Sequence, residues 1–157
     1  MNLESSITLQ EIFSLLSSFR TWIILTHQKP DGDAVGAASS LAVYGMEHGK
    51  NIRWGGVDPL PTTYSFLPLA DQYEIFPHIN ELLPFPEKTA VISLDTSNLE
   101  RSVPGLEIVQ GKHPIFNIDH HGDNTRYGDY NYIDESASSL GEILWHIFHL
   151  VNVHYYY

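Results

Sequence analysis

The chain has 157 residues, no cysteine, and 19 Asp and Glu against 8 Lys and Arg, for a formal net charge of −11. That length suits one compact domain able to bury roughly two thirds of its unfolded surface. The composition excludes disulfides, thiolate metal sites and a cysteine nucleophile, and it argues against gripping a long nucleic acid through phosphate contacts alone.

The first twenty residues, MNLESSITLQEIFSLLSSFR, carry Glu4 and lack the basic start of a signal peptide. No apolar run approaches the roughly 18 residues of a membrane span. The expectation is a soluble cytoplasmic protein. From Thr8 to Phe19, apolar residues at Leu9, Ile12, Phe13, Leu15, Leu16 and Phe19 have helical spacing. Thr21 to Thr26 is a short apolar run with β-branched residues and reads as a buried, parallel strand. Pro30 and Gly32 stop it within His27 to Asp33. Ala34 to His48, rich in small residues, reads as a helix lying close to a sheet, with Gly32 and Gly36 easing a sharp turn and that approach.

Asn51 to Trp54 reads as a second strand. Asp58 to Pro68 is Pro-rich and irregular, with one turn of helix at Thr63 to Leu67, and Ile79 to Leu83 reads as a short helix. Two further buried strands follow, Thr89 to Leu94 and His113 to Ile118, each ending at an aspartate. Tyr130 to Ile133 is a short strand. Ser139 to Glu142 has the form of a capping box and opens a helix to about Leu150. Trp22 and Trp145 read as core. His48, His78, His113, His146, His149 and His154 read as surface or interface histidines. Strands alternating with helices predict an α/β fold, a mostly parallel sheet flanked by helices.

In such sheets ligands sit beyond the carboxyl ends of the strands. Three strands here end in polar clusters, so His27, Asp31, Asp33, Asp95, Asp119, His120 and His121 share one rim. Each cluster has a plain alternative. Asp31 to Asp33 could be a turn with Asp33 as N-cap, Asp95 a cap, and His120 and His121 a hydrogen-bonded pair. Together they offer four carboxylates and three imidazoles, whose mutual repulsion divalent cations would relieve. Mixed carboxylate and imidazole donors suit Mn²⁺, Fe²⁺ or Zn²⁺ better than Ca²⁺. Two such ions roughly 3.5–4 Å apart form a clamp for phosphoryl hydrolysis.

Three motifs in order carry a resemblance. His27-Gln28-Lys29-Pro30-Asp31-Gly32-Asp33-Ala34-Val35-Gly36 is close to H-x-x-P-D-G-D-A-x-G. Leu94-Asp95-Thr96-Ser97 follows, with Arg101 shortly after, and then Asp119-His120-His121. The chain resembles the DHH phosphoesterases over nearly its whole length, nearest to the branch that acts on short oligonucleotides and 3′-phosphoadenosine 5′-phosphate. The resemblance implies two divalent ions, manganese foremost. His27 and Asp31 would hold one, Asp33 and His120 the other, and Asp95 would bridge them. Asp119 would orient a histidine, while His121 and Arg101 would meet the substrate. Water activated between the ions would attack phosphorus in line.

Family members carry a fourth motif, with an aspartate at the His120 ion, and a C-terminal substrate-binding domain. Residues 1–157 would then be a single DHH-type domain truncated before both, weak or inactive alone, and prone to self-association through apolar surface at Trp145, Phe148 and Tyr155 to Tyr157. A non-catalytic nucleotide- or partner-binding remnant, and a polyphosphatase or pyrophosphatase, are the competing readings.

Overall fold

The computed structural model describes residues 7–151. The strands are β1 (Thr21–Leu25), β2 (Asn51–Gly56), β3 (Tyr73–Ile75), β4 (Thr89–Leu94), β5 (Ile115–Asp119) and β6 (Tyr130–Ile133). They form one sheet in the order β3-β2-β1-β4-β5-β6, and every neighbouring pair is parallel. The chain winds outward from β1 in one direction and from β4 in the other. The switch point therefore lies between β1 and β4, where a doubly wound sheet opens a crevice at its carboxyl edge.

Three helices cover one face: α1 (Leu9–Ser17), α2 (Gly32–Glu47) and α3 (Leu140–Leu150). Alternation along the strands decides which side chain goes where. Trp22, Ile24, Ile92, Leu94, Phe116 and Ile118 join the helices in the larger core, which includes Ile12, Leu16, Leu41, Leu140 and Ile143. Ile23, Leu25, Val91 and Ile115 point the other way. No α-helix covers that second face among the described residues. It is sealed by short 3₁₀ turns carrying Ile79, Leu82, Leu106 and Val109, and by the loop residues Phe76 and Val103.

The expected elements are present with shifted ends. The predicted turn at Thr63 to Leu67 is a 3₁₀ turn at Thr62–Tyr64, and the one at Ile79 to Leu83 is a 3₁₀ turn at Ile79–Leu82. The edge strand β3 has only three residues, too few to show a period in the sequence. Close helix–sheet approach occurs at Gly45 rather than Gly36. A Cβ at Gly45 would lie 2.6 Å from Ile52 Cδ1, whereas one at Gly36 would meet nothing within 4 Å.

Trp22 is fully buried, but Trp145, expected in the core, is 51% exposed. The apolar run of α3 is wider than the stripe a surface helix buries, and Trp145 falls outside that stripe, stacked on His149. Phe148, expected in the exposed patch, is buried. His154 and Tyr155 to Tyr157 lie outside the described residues. No helix among the described residues is long and apolar enough to cross a membrane.

Candidate metal centre

The crevice at the switch point gathers the residues read from the three motifs. A buried Thr26-His27 pair follows β1, and α2 begins only five residues after His27. Asp31 is the N-cap of α2, its Oδ1 accepting from Ala34 N at 3.0 Å. The capping role that the sequence suggested for Asp33 thus belongs to Asp31. Asp33 sits in the first turn, and both aspartates lie at the positive end of the helix dipole.

Asp33 reaches across the molecule. Its Oδ2 accepts from Leu140 N at 2.8 Å and its Oδ1 from Gly141 N at 2.9 Å, at the N-terminus of α3. Ser139 caps the same end, accepting from Glu142 N at 3.1 Å. The Glu142 carboxylate answers one residue early, taking Ser138 N and Oγ rather than Ser139 N.

Asp95 follows β4 with φ 55°, a left-handed backbone that aspartate tolerates better than most residues. The side chain is 2% exposed. Its Oδ2 faces His27 Nε2 at 3.6 Å, and its Oδ1 faces His120 Nε2 at 3.3 Å. His27 Nε2 also faces Asp31 Oδ1 at 3.8 Å, and His120 Nε2 faces Asp33 Oδ2 at 3.5 Å. Asp95 thus turns one oxygen toward each imidazole. Donor atoms of His27, Asp31 and Asp95 lie within 4.8 Å of one another, while Asp33 and Asp95 each face His120 Nε2.

The donor atoms fit cations. Asp95 Oδ1 is buried without a hydrogen-bond partner, an expensive state for a carboxylate oxygen unless a cation satisfies it. The separations of 3.3–3.8 Å exceed good hydrogen-bond lengths. Two donors each about 2.1 Å from one ion stand roughly 3.0–3.4 Å apart at ordinary bond angles, close to this spacing. His27 Nδ1 is 2.6 Å from the Gln28 carbonyl, which can only accept. The proton therefore sits on Nδ1 and the Nε2 lone pair faces the carboxylates, as a metal ligand needs. Asp33 keeps a free lone pair on each oxygen beside its helix contacts.

Asp119 plays a different part. It is fully buried, and its Oδ1 accepts from His120 N at 2.8 Å and from His121 Nδ1 at 2.7 Å. Its Oδ2 accepts from Asn124 Nδ2 at 2.7 Å. Donor atoms of Asp95, Asp119, His120 and His121 all lie within 4.8 Å of one another. Asp119 and the Nδ1 of His121 nevertheless satisfy each other, which leaves Asp95 and His120 as the open donors. The other ring nitrogen of His121, Nε2, makes no hydrogen bond among the described residues. Arg101 ends a 3₁₀ turn whose carbonyl accepts from Gln28 N at 2.7 Å, so it lies next to the His27 loop. Asn124 drew no notice in the sequence; its place three residues after His121 was the available signal.

Charge follows burial. Burial raises the pKa of Asp95, His27 draws it back in part, and the Asp33 and Asp31 charges raise it further. Burial opposes protonation of His27, but Asp95, the Gln28 carbonyl and Asp31 together outweigh it and raise its pKa. Burial likewise opposes protonation of His121, and Asp119 and Asp95 outweigh it. The metal-free cluster thus holds on to protons where cations would otherwise sit.

The model of the DHH family, N-terminal domain, matches residues 21–156. The bifunctional oligoribonuclease and PAP phosphatase NrnA of Thermus thermophilus is 32% identical over 130 residues, covering 83% of this chain and 37% of that protein. Its Bacillus subtilis namesake is 33% identical over 144 residues, covering 88% and 41%. The chain therefore spans about two fifths of the length of these relatives. The crystal structure of an exopolyphosphatase-related protein from Bacteroides fragilis superposes with a TM-score of 0.79 at 19% identity, covering 94% of this chain and 45% of that one, and shares the fold. With the family model matched from β1 through α3, the chain belongs to the DHH family.

Proposed function

We propose that the chain is the metal-bearing domain of a cytoplasmic phosphoesterase that hydrolyses short oligonucleotides or 3′-phosphoadenosine 5′-phosphate with two divalent ions, manganese foremost. The observation that carries this reading is Asp95, buried, with one oxygen facing each imidazole and Oδ1 unsatisfied. The names of the Thermus and Bacillus relatives supply the substrate class. A net charge of −11 favours a small phosphorylated substrate met through cations over a long strand held in a basic groove.

In this reading His27, Asp31 and Asp95 hold one ion, and Asp33, His120 and Asp95 the other. When bound, the ions would polarise the scissile phosphate and supply a water nucleophile at neutral pH. Asp119 fixes the Nδ1–H of His121 and raises its proton affinity. A fraction of His121 rings then carries a second proton, on Nε2, to give to the leaving oxygen. Arg101, beside the His27 loop, neutralises a substrate phosphate.

The test is calorimetric titration of the metal-free chain with Mn²⁺, then assays on 3′-phosphoadenosine 5′-phosphate, a short RNA and polyphosphate. Two bound ions with release of phosphate or mononucleotide are expected, with slow turnover for residues 1–157 alone. Cleavage of polyphosphate alone would move the substrate assignment. One ion without turnover of any substrate would leave a binding remnant, and none a structural fragment.

A further inference from the structure

Behind the DHH triplet lies a buried polar cluster that the reaction above does not use. Asn117, fully buried on β5, pairs in register with Ser93 on β4. Its amide donates to the carbonyls of Ser93 at 3.3 Å and Thr96 at 3.1 Å. The Tyr127 hydroxyl closes the group, 2.6 Å from Ser93 Oγ and 3.3 Å from Asn117 Nδ2. Burial pushes the Tyr127 phenol well above its ordinary range, so it stays neutral. The Thr96 carbonyl takes a second donor from across the loop, Asn124 Nδ2, at 3.2 Å. The same nitrogen donates to Asp119 Oδ2 at 2.7 Å.

The orientation of the Asn124 amide is fixed by its neighbours. Its Oδ1 accepts from Arg126 N at 2.7 Å, and its Nδ2 faces two oxygens that can only accept. Flipping the amide would set an oxygen against two oxygens and leave Arg126 N facing an NH₂. The backbone N of Asn124 also donates to the His121 carbonyl at 3.2 Å, tying the loop to the triplet.

Asp119 needs such a partner. Both donors to its Oδ1 come from the next two residues, so they hold only one side of the carboxylate. The contact on Oδ2 holds the other side from across the loop. We propose that Asn124 is a positioning residue for His121: it locks the Asp119 carboxylate plane and thereby holds the His121 ring as the Nδ1–H tautomer, with Nε2 presented away from Asp119. The Asn117–Thr96–Tyr127 cluster anchors Asn124 to the sheet.

The first readout needs neither metal nor turnover, so it stands even if the phosphoesterase reading fails. Long-range ¹H–¹⁵N correlation spectra of the metal-free chain, at alkaline pH where the ring is neutral, report the tautomer of His121. The wild type should show Nδ1–H alone. Asn124→Asp is isosteric and keeps the acceptor for Arg126 N, but replaces the donor to Asp119 with an oxygen. Asn124→Ala removes both. Each variant should melt lower, since buried partners are lost, yet stay folded and show a substantial Nε2–H population. If the wild type turns over substrate, both variants should lose about 10- to 100-fold in kcat, with KM and the number of Mn²⁺ ions bound unchanged. A pure Nδ1–H tautomer in the folded variants would overturn the proposal. So would unfolding of both variants, since Asn124 would then be a structural residue of the loop.

Discussion

The two halves of the candidate metal centre are assembled differently. The His27–Asp31 half is local: both donors lie within five residues, His27 is fixed by its neighbour's carbonyl, and Asp31 caps the helix it opens. Its two own donors are set by the β1–α2 turn, and only the shared Asp95 comes from elsewhere, at the end of β4. The Asp33–His120 half draws on the first turn of α2, the residue after β5, and the N-terminus of α3, with Asp33 bonded to backbone 107 and 108 residues away. It is complete only when α3 is docked. Binding at the second half and docking of α3 are therefore linked, and each should strengthen the other.

Asp95 serves both halves, so Asp95→Asn should have the largest effect. Asparagine keeps the shape and tolerates the left-handed backbone at φ 55°. It removes the charge that both ions would share. Losing a ligand exceeds losing an outer partner, so turnover and affinity for both ions should fall by more than about 100-fold. The metal-free chain should nevertheless melt higher, because a buried charge has gone. Isothermal titration paired with thermal melting reads both. Retained turnover in the variant would remove the two-ion model.

Next come Asp31→Asn and Asp33→Asn, which set the halves against each other. Asparagine is as good an N-cap as aspartate, so Asp31→Asn should lose one ion while stability stays within about 0.5 kcal/mol. Asp33→Asn should lose the other ion and also loosen α3. Its amide can satisfy one of the two α3 N–H groups and must turn its NH₂ to the other, which costs about 1–2 kcal/mol at this partly exposed site. Equal destabilisation by the two substitutions, measured by urea unfolding, would show that α3 does not depend on Asp33.

That contrast also marks what was legible in the sequence. The His27–Asp31 half is written in consecutive residues, and the buried strands and helix starts are written in apolar runs and caps. The sheet-wide convergence of Asp95 and His120 follows from parallel strands ending at one edge. The Asp33 contact with α3 joins residues more than a hundred apart, and no local pattern records it. Neither does the pairing of Asp119 with His121 rather than His120, nor the support from Asn124. The second sheet face was opaque for another reason. Its cover is 3₁₀ turns, whose three or four residues carry too little periodicity to read. Trp145 misled because an apolar residue on a helix need not face the core.

A smaller effect should come from Ser139→Ala, which touches the centre only through α3. Losing the N-cap bond to Glu142 N costs about 1 kcal/mol. If α3 docking supports only the second half, affinity for the Asp33–His120 ion should fall within about 5-fold and the other ion should bind as before. A two-step calorimetric isotherm distinguishes them. Equal weakening of both ions would mean that the halves are not separately supported.

The smallest effect is a slope with pH, and its sign follows from the direction of the shifts. The pKa values of His27 and His121 are raised above their ordinary 6.5 in the folded chain. Each contributes stability that is fully present below about pH 6.5 and is lost as pH rises through the folded value. Asp95, raised above 3.8, acts in the same sense at lower pH, because folding favours its protonated form. The metal-free chain should therefore melt higher at about pH 6 than at about pH 8, by a few degrees for a chain of this size. Saturating Mn²⁺ should flatten or invert the slope, since ions bind the deprotonated donors and bind them better as pH rises. His27→Gln removes the part belonging to the local half, and His121→Gln the part belonging to the triplet. Because His27 is buried with its Nδ1 fixed and His121 is 38% exposed, the His27 substitution should take the larger share of the slope. A larger share for His121 would place the tighter proton coupling in its pair with Asp119 rather than in the local half.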